Sequence, residues 1–318
     1  MSFAARTLRR AGATPVGLPL VYLAGRLARA GLMPFHAGLR ALEELAAAGP
    51  RQTVVATLDL GGAHKRALEF DLSISGCRHL LAEPPRDLHA RIGLPLFLEL
   101  IRDATTVIDV GANTGVFTYA SACHAPSARI IAYEPTPVLA ALMQRNLVRN
   151  GWTPRVEVRA AGISAALGER VFYIHSMDGE STFEADRARH AEDVEARITV
   201  PVVALDDVFD AEGIAPSRSV IKVDVEGHES GVIDGLERTL RRRGARPTLL
   251  MELLGRAISQ DRIIDRILDY GLDVYYVSSN AIVRLRKTAD LEAVQEVGQW
   301  NFLLTDRAPA DVARLPVS

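Results

Sequence analysis

Lysine is nearly absent from this 318-residue chain: Lys65, Lys222 and Lys287 are the only three, and arginine supplies the rest of the positive charge. We read that bias as coding preference rather than chemistry. The net charge of −2 provides no global field for nucleic acid. Cysteine is scarce too. Cys77 and Cys123 fit no metal-ligand spacing and no disulfide framework, so they read as buried free thiols of a reducing, cytoplasmic compartment. Near the start, Ala11–Gly25 lacks charge over 15 residues, which is too short for a membrane span. It has the outline of a signal peptide after Arg9 and Arg10. However, Pro15 and Pro19 interrupt it, Arg26 and Arg29 follow, and no clean small-x-small cleavage site appears. A buried or surface-lying helix is expected instead. Internal repeats and low-complexity tracts are absent as well.

What remains is ordinary for a globular protein with a sizeable core, at 48% hydrophobic and 24% charged residues. Residues 1–103 read as an accessory region. Leu20–Leu32 and Ala37–Ala48 are expected to be helices, forming a cap on the main domain. The apolar faces of these helices would suit a homodimer, and six arginines against Glu43 and Glu44 raise the alternative of a basic surface meeting anionic lipid or a partner subunit. The arginines do not fall on one face, which disfavours it. Thr53–Leu60 and Ala67–Ile74 alternate around Gly61-Gly62 and predict a β-hairpin. A helix over Asp87–Arg102 leads onward.

From residue 104 to 318 the pattern becomes strand, helix, strand, helix. Strands are expected at Thr106–Val110, Ala128–Tyr133, Arg155–Ala161, Ser219–Val225 and Thr248–Leu253. Helices are expected at Val116–Ala122, Val138–Asn150, Glu229–Arg242 and Ile258–Tyr270. The alternation predicts an α/β fold, a mostly parallel sheet with helices on both faces. Asp273–Ser278, Ala281–Leu285 and Asn301–Thr305 are close enough together to give an antiparallel edge strand. Between Arg170–His175 and Ile198–Leu205 lies an inserted polar loop, about 176–196, which would cover the site as a lid with Ser181, Thr182 and His190 near a polar ligand.

The turn after the first strand, Asp109-Val110-Gly111-Ala112-Asn113-Thr114-Gly115, is the centre of the chain. A dinucleotide fingerprint would read Gly-x-Gly-x-x-Gly. Here Asn113 stands at the middle glycine, and no Gly-Lys-Ser/Thr phosphate cradle exists. Gly111 and Gly115 still let the backbone approach a ligand. Glu134 ends the second strand about 20 residues on, the position that meets ribose hydroxyls in nucleoside-binding α/β folds. These features imply an adenosyl ligand without a diphosphate, such as S-adenosylmethionine. Asp109 and Asn113 would meet its amino-acid end and Glu134 its ribose, with Gly162 closing the third strand beside them. Farther on, Ile221-Lys222-Val223-Asp224-Val225-Glu226-Gly227-His228-Glu229 puts charges into an apolar strand, where they must be paired or functional. Lys222 reads as half of a buried ion pair. Glu252 ends the neighbouring strand.

Asp109–Thr118, Glu134-Pro135, Leu205-Asp206-Asp207, Ile221–Glu229 and Met251-Glu252 together resemble the FkbM family of S-adenosylmethionine-dependent methyltransferases, over about residues 100–255. The resemblance implies a class I methyltransferase (Rossmann-like) fold and O-methylation of a sugar, glycolipid or polyketide-type natural product, that is, a small-molecule or glycosylated acceptor. A sulfonium already activates its methyl group, so the protein's tasks are alignment and removal of the acceptor's proton. His228 is the first candidate base, because its ordinary pKa suits neutral pH; it could equally cap the following helix. Asp224 and Glu226 are the alternatives, or would orient the acceptor. Asp224, Glu226 and Glu252 could hold a divalent metal, but the spacing requires none. Two competing classes stay in view, an NAD(P)-dependent oxidoreductase and a non-catalytic binding protein. The missing glycine fingerprint argues against the first and the ordered acidic strand ends against the second.

Overall fold

The structure, a computed structural model, describes residues 27, 35–47, 53–83, 93–175, 180–185, 194–278, 280–294 and 301–316. The helix expected over Leu20–Leu32, the first part of that over Asp87–Arg102, and His190 lie outside them. The accessory region comprises α1 (Phe35–Ala47), β1 (Thr53–Asp59), β2 (Lys65–Asp71), α2 (Ser75–Ala82) and α3 (Leu94–Leu100). β1 and β2 form the expected antiparallel hairpin, from Thr53 opposite Asp71 to Asp59 opposite Lys65. α2 was not foreseen; it begins directly after Ile74, the end of the second expected strand, Ala67–Ile74.

The main domain continues with β3 (Thr106–Val110), α4 (Val116–His124), β4 (Arg129–Tyr133), α5 (Pro137–Asn150) and β5 (Val156–Arg159). A small insertion holds β6 (Gly162–Ile163), β7 (Gly168–His175) and β8 (Val194–Val203), followed by α6 (Leu205–Glu212). The chain then returns through β9 (Ser219–Val223), α7 (Glu229–Asp234), α8 (Glu237–Leu240), β10 (Thr248–Glu252), α9 (Gly255–Ser259), α10 (Ile263–Asp269), β11 (Asp273–Val277), β12 (Ile282–Leu285) and β13 (Asn301–Thr305).

Among the described residues the main sheet has the order β12-β11-β13-β10-β9-β3-β4-β5. Its run from β10 to β5 is parallel. β12 is the expected antiparallel edge, but β13 is antiparallel too and lies inside the sheet, between β10 and β11. β3 is buried at all five positions, as a strand covered on both faces must be. Alternate side chains feed two cores. Val107, Ile130, Val220 and Leu250 join the accessory region, α4 and α5. Ile108, Ile131, Ile221 and Leu249 join α6 to α10. The accessory region thus shares one core with a face of the sheet. Asn146 of α5 fastens it: its side chain accepts from the Glu69 N–H (2.6 Å) and donates to the Glu69 carbonyl (3.0 Å), as a strand partner would.

Two long helices expected from periodicity are each broken in two. Glu229–Arg242 breaks at Gly235-Leu236. The Gly235 carbonyl accepts from the Asp206 N–H, and a Cβ on Gly235 would lie 2.1 Å from the Ser164 carbonyl oxygen. Asp206 then caps α8 from a distance, its two oxygens accepting from the N–H groups of Arg238 and Thr239. Ile258–Tyr270 breaks into α9 and α10, with Arg262 in the left-handed region at φ +52°. Gly162 does not close the third strand. It starts β6, which pairs with β8 in the small sheet β6-β8-β7. Leu205, expected in a strand, begins a helix. Within the expected lid, Ser181–Ala185 is tied down, and Tyr173 and Thr182 exchange two backbone hydrogen bonds of 2.9 and 3.0 Å.

Candidate active site

The strand order reverses at β3: the chain runs out through β4 and β5, then crosses back to β9 on the other side. Ligands of open α/β sheets bind in the crevice at such a reversal, outside the carboxyl ends of the strands. A pocket opens there, lined by Gly111, Asn113, Tyr133, Glu134, Thr136, Gly162 and Ile163 from the β3, β4 and β5 ends, by Asp224 and Val225 after β9, and by Phe172, Ser181 and Phe183 from the insertion.

Backbone geometry explains the turn's composition. Gly111 has φ +77°, and a Cβ there would stand 1.8 Å from the Asp224 carbonyl oxygen. Only glycine lets the β9 end close against β3, where the Asp224 N–H donates to the Val110 carbonyl (3.0 Å). Asn113 adopts φ +51°, a conformation asparagine tolerates better than most residues. Its side-chain oxygen is buried without a hydrogen-bond partner, a state that costs about 1–3 kcal/mol if nothing fills it. Gly115 does not reach the pocket. It serves α4 instead, since a Cβ would lie 2.7 Å from Tyr119 Cζ.

Glu134 is 4% exposed. One carboxylate oxygen accepts from the Asn113 N–H and the other from the Thr136 N–H, both at 2.7 Å. Burial raises its pKa, against the hydrogen bonds from Thr136 and Asn113. Asp109 lies behind the pocket, not in it. It faces α4, accepts from the Thr118 hydroxyl at 2.6 Å, and is pushed up to about 6 by burial. Its register partner across the strands is Lys222. The Lys222 ammonium is buried, 3.4 Å from Asp224 Oδ2 and 5.1 Å from the Phe117 ring centre, which is the ion pair expected of it.

Of the three residues expected to handle the proton, Asp224 lines the pocket, with 37% of its side chain exposed. Glu226 sits in the turn after it at φ +50°, and its carbonyl accepts from the Thr182 hydroxyl at 2.7 Å. His228, expected at the reacting centre, is 4% exposed and sits behind the Phe183 wall. Its Nδ1 lies 2.8 Å from Glu184 Oε1 and its Nε2 3.1 Å from Ser164 Oγ. Its side chain makes no helix-capping bond. Among the described residues no three His, Cys, Asp or Glu side chains group to hold a metal, so Asp224, Glu226 and Glu252 do not assemble into the carboxylate site that strand-end counting allows. The sequence reading missed Phe172 and Phe183. Aromatics in a polar insertion were the available signal.

A reversal-point pocket at the carboxyl ends of a mostly parallel sheet, with one antiparallel strand inserted between β10 and β11, is the ligand site of a Rossmann-like α/β protein. The chain belongs to the FkbM methyltransferase family, whose domain, described as "Methyltransferase FkbM domain", matches residues 109–276. Methyltransferase sdnD of Sordaria araneosa is 29% identical over 195 residues, covering 49% of this chain and 75% of that protein. The 31-O-demethyl-FK506 methyltransferase FkbM of Streptomyces tacrolimicus is 31% identical over 163 residues, covering 43% and 61%. Hexuronic acid methyltransferase AglP of Haloferax volcanii is 30% identical over 150 residues, covering 46% and 56%. The chain therefore spans between 56% and 75% of the length of these relatives. No helix among the described residues is long and apolar enough to cross a membrane.

Proposed function

We propose that this methyltransferase takes its methyl group from S-adenosylmethionine and transfers it to a hydroxyl of a small-molecule or glycosylated acceptor. Glu134 carries the assignment. A buried carboxylate, fixed by two backbone N–H groups and lining the pocket, suits two neighbouring ribose hydroxyls. The pocket chemistry fits the rest of the donor. The partnerless Asn113 oxygen suits an ammonium N–H, and the Ile163, Phe172 and Phe183 side chains suit a planar base. The donor supplies a methyl group already activated by a sulfonium. The protein's own work is to hold it, exclude water and manage one proton. Asp224 is the carboxylate in position to accept that proton from the acceptor hydroxyl, with Lys222 balancing its charge from behind. The relatives named for 31-O-demethyl-FK506 and for a hexuronic acid support a hydroxyl-bearing natural product or sugar as the acceptor class. The accessory region before residue 104, outside the matched domain, would shape acceptor choice.

Calorimetric titration of S-adenosylmethionine, then of NAD(P)H, tests the donor. Wild type is expected to bind the first only. Glu134→Gln should weaken it roughly tenfold or more, the worth of a hydrogen bond to a charged group. Unchanged affinity in that variant, or binding of NAD(P)H instead, refutes the assignment. Transfer of label from the donor to a panel of hydroxylated and glycosylated compounds identifies the acceptor.

A further inference from the structure

Phe183 is held from several sides. It packs edge-on against Phe172, with ring centres 4.8 Å apart, and lies 5.1 Å from the His228 ring. Beneath it is Gly162, where a Cβ would fall 2.4 Å from Phe183 Cζ. Beneath His228 is Gly231, where a Cβ would fall 2.3 Å from His228 Nε2. Neither glycine has positive φ, so neither is required by its backbone conformation. Each one makes room for a ring.

The His228 nitrogens are both committed. A neutral imidazole has one donor and one acceptor nitrogen. The Glu184 carboxylate can only accept when ionised, so Nδ1 donates to it and Nε2 accepts from the Ser164 hydroxyl. The Nε2 lone pair is therefore turned to Ser164, which does not line the pocket, rather than to a ligand. The hydrogen bond from His228 lowers the Glu184 pKa, and Arg256 lies 3.5 Å from its other oxygen. One residue away from Phe183 on the other side, Thr182 is fully buried. It donates its hydroxyl to the Glu226 carbonyl and pairs with Tyr173 through the backbone. The two residues flanking Phe183 thus anchor the insertion to the turn after β9.

We propose that His228 is a positioning residue, the clasp that fastens Ser181–Ala185 to the β9 end and seats Phe183 as the wall against which the donor's base packs. The clasp itself stands on the geometry above, and its effect on the donor rests on the proposed S-adenosylmethionine reading. Through this clasp, His228 governs donor affinity rather than proton removal.

The full-length protein and four variants test it: His228→Ala, His228→Asn, Glu184→Ala and Phe183→Leu. Two readouts keep the clasp and the donor assignment separate. Without any ligand, hydrogen exchange at the Tyr173 and Thr182 amides should accelerate at least tenfold in His228→Ala and Glu184→Ala and stay near wild type in Phe183→Leu. Equal protection in wild type and His228→Ala overturns the clasp, whatever the donor is. With S-adenosylmethionine, His228→Ala and Phe183→Leu should each raise the dissociation constant about tenfold or more, the worth of a base-stacking ring. The pH profile of kcat at saturating donor should keep its shape. His228→Asn should recover most of the affinity, because its amide can still donate to Glu184 and cannot act as a base. Unchanged donor affinity together with collapsed kcat, not recovered in His228→Asn, overturns the proposal in favour of a base. Failure of wild type to bind the donor refutes the donor assignment, and the exchange result still decides the clasp.

Discussion

Asp109 is a buried acid whose charge weakens the fold, and Asp109→Asn should reveal this. Its pKa rises from the ordinary 3.8 to about 6 because burial outweighs both the Thr118 hydroxyl and the Lys222 ammonium. The native state therefore binds this proton more tightly than the unfolded chain does, and the acid's contribution to stability grows as pH falls through that window. About two pKa units correspond to about 3 kcal/mol between the fully ionised and fully protonated limits. Between roughly pH 8 and pH 5 the share realised is about 1.4 kcal/mol, because at roughly pH 5 the native acid is mostly protonated while the unfolded one is mostly ionised. Asparagine cannot titrate, yet its carbonyl can still accept from Thr118, and Lys222 retains Asp224. Urea unfolding of wild type and variant at both pH values reads the term together with the lesser coulombic coupling of Asp109 to Glu134. Wild type should gain that increment relative to the variant on acidification. Parallel pH dependence in the two proteins would refute the account of Asp109 as a desolvated, titrating acid.

Two further perturbations follow from the packing. Gly111→Ala adds a Cβ 1.8 Å from the Asp224 carbonyl at φ +77°; strain and overpacking together should cost about 3 kcal/mol or more, read as a fall in the urea midpoint, and donor binding should be lost with the β3–β9 contact. Asn146→Ala removes both bonds to the Glu69 backbone in a side chain that is 1% exposed; the stranded edge should cost about 2–3 kcal/mol, and limited proteolysis should cut first in the β1–β2 hairpin.

Elements with a strong local pattern were legible in the sequence. β3 could be placed because its apolar, β-branched run stops at Gly111, β13 because its apolar Phe302-Leu303-Leu304 run stops before Asp306, and α5 because it ends at Gly151, which takes the left-handed conformation of a helix stop. The broken helices were not legible. At Gly235 the break is dictated by Ser164 and Asp206, both distant in sequence, and periodicity reports only neighbours. Among candidate site residues, Gly111 and Glu134 could be placed at the pocket because their position is fixed by a strand end. His228 looked like a base because a histidine in an acidic motif has a suitable ordinary pKa. What engages it, Glu184 and Ser164, is 44 and 64 residues away. Asp109 was expected to touch ligand because it sits at a strand end, but strand parity turns it toward α4.

The placement of β13 bears on how the chain becomes a protein. Among the described residues, β11 and β12 are joined to the main sheet only through β13. Until Asn301–Thr305 is inserted, the sheet ends at β10 and the β11–β12 ribbon is unattached, so two unsatisfied strand edges face each other. Unpaired edges invite association with other chains. During synthesis, the half that bears the pocket can form early, while the other half waits for one five-residue strand. That interval is when the nascent chain most needs shielding, and a stop or frameshift just before Asn301 would leave those edges open permanently.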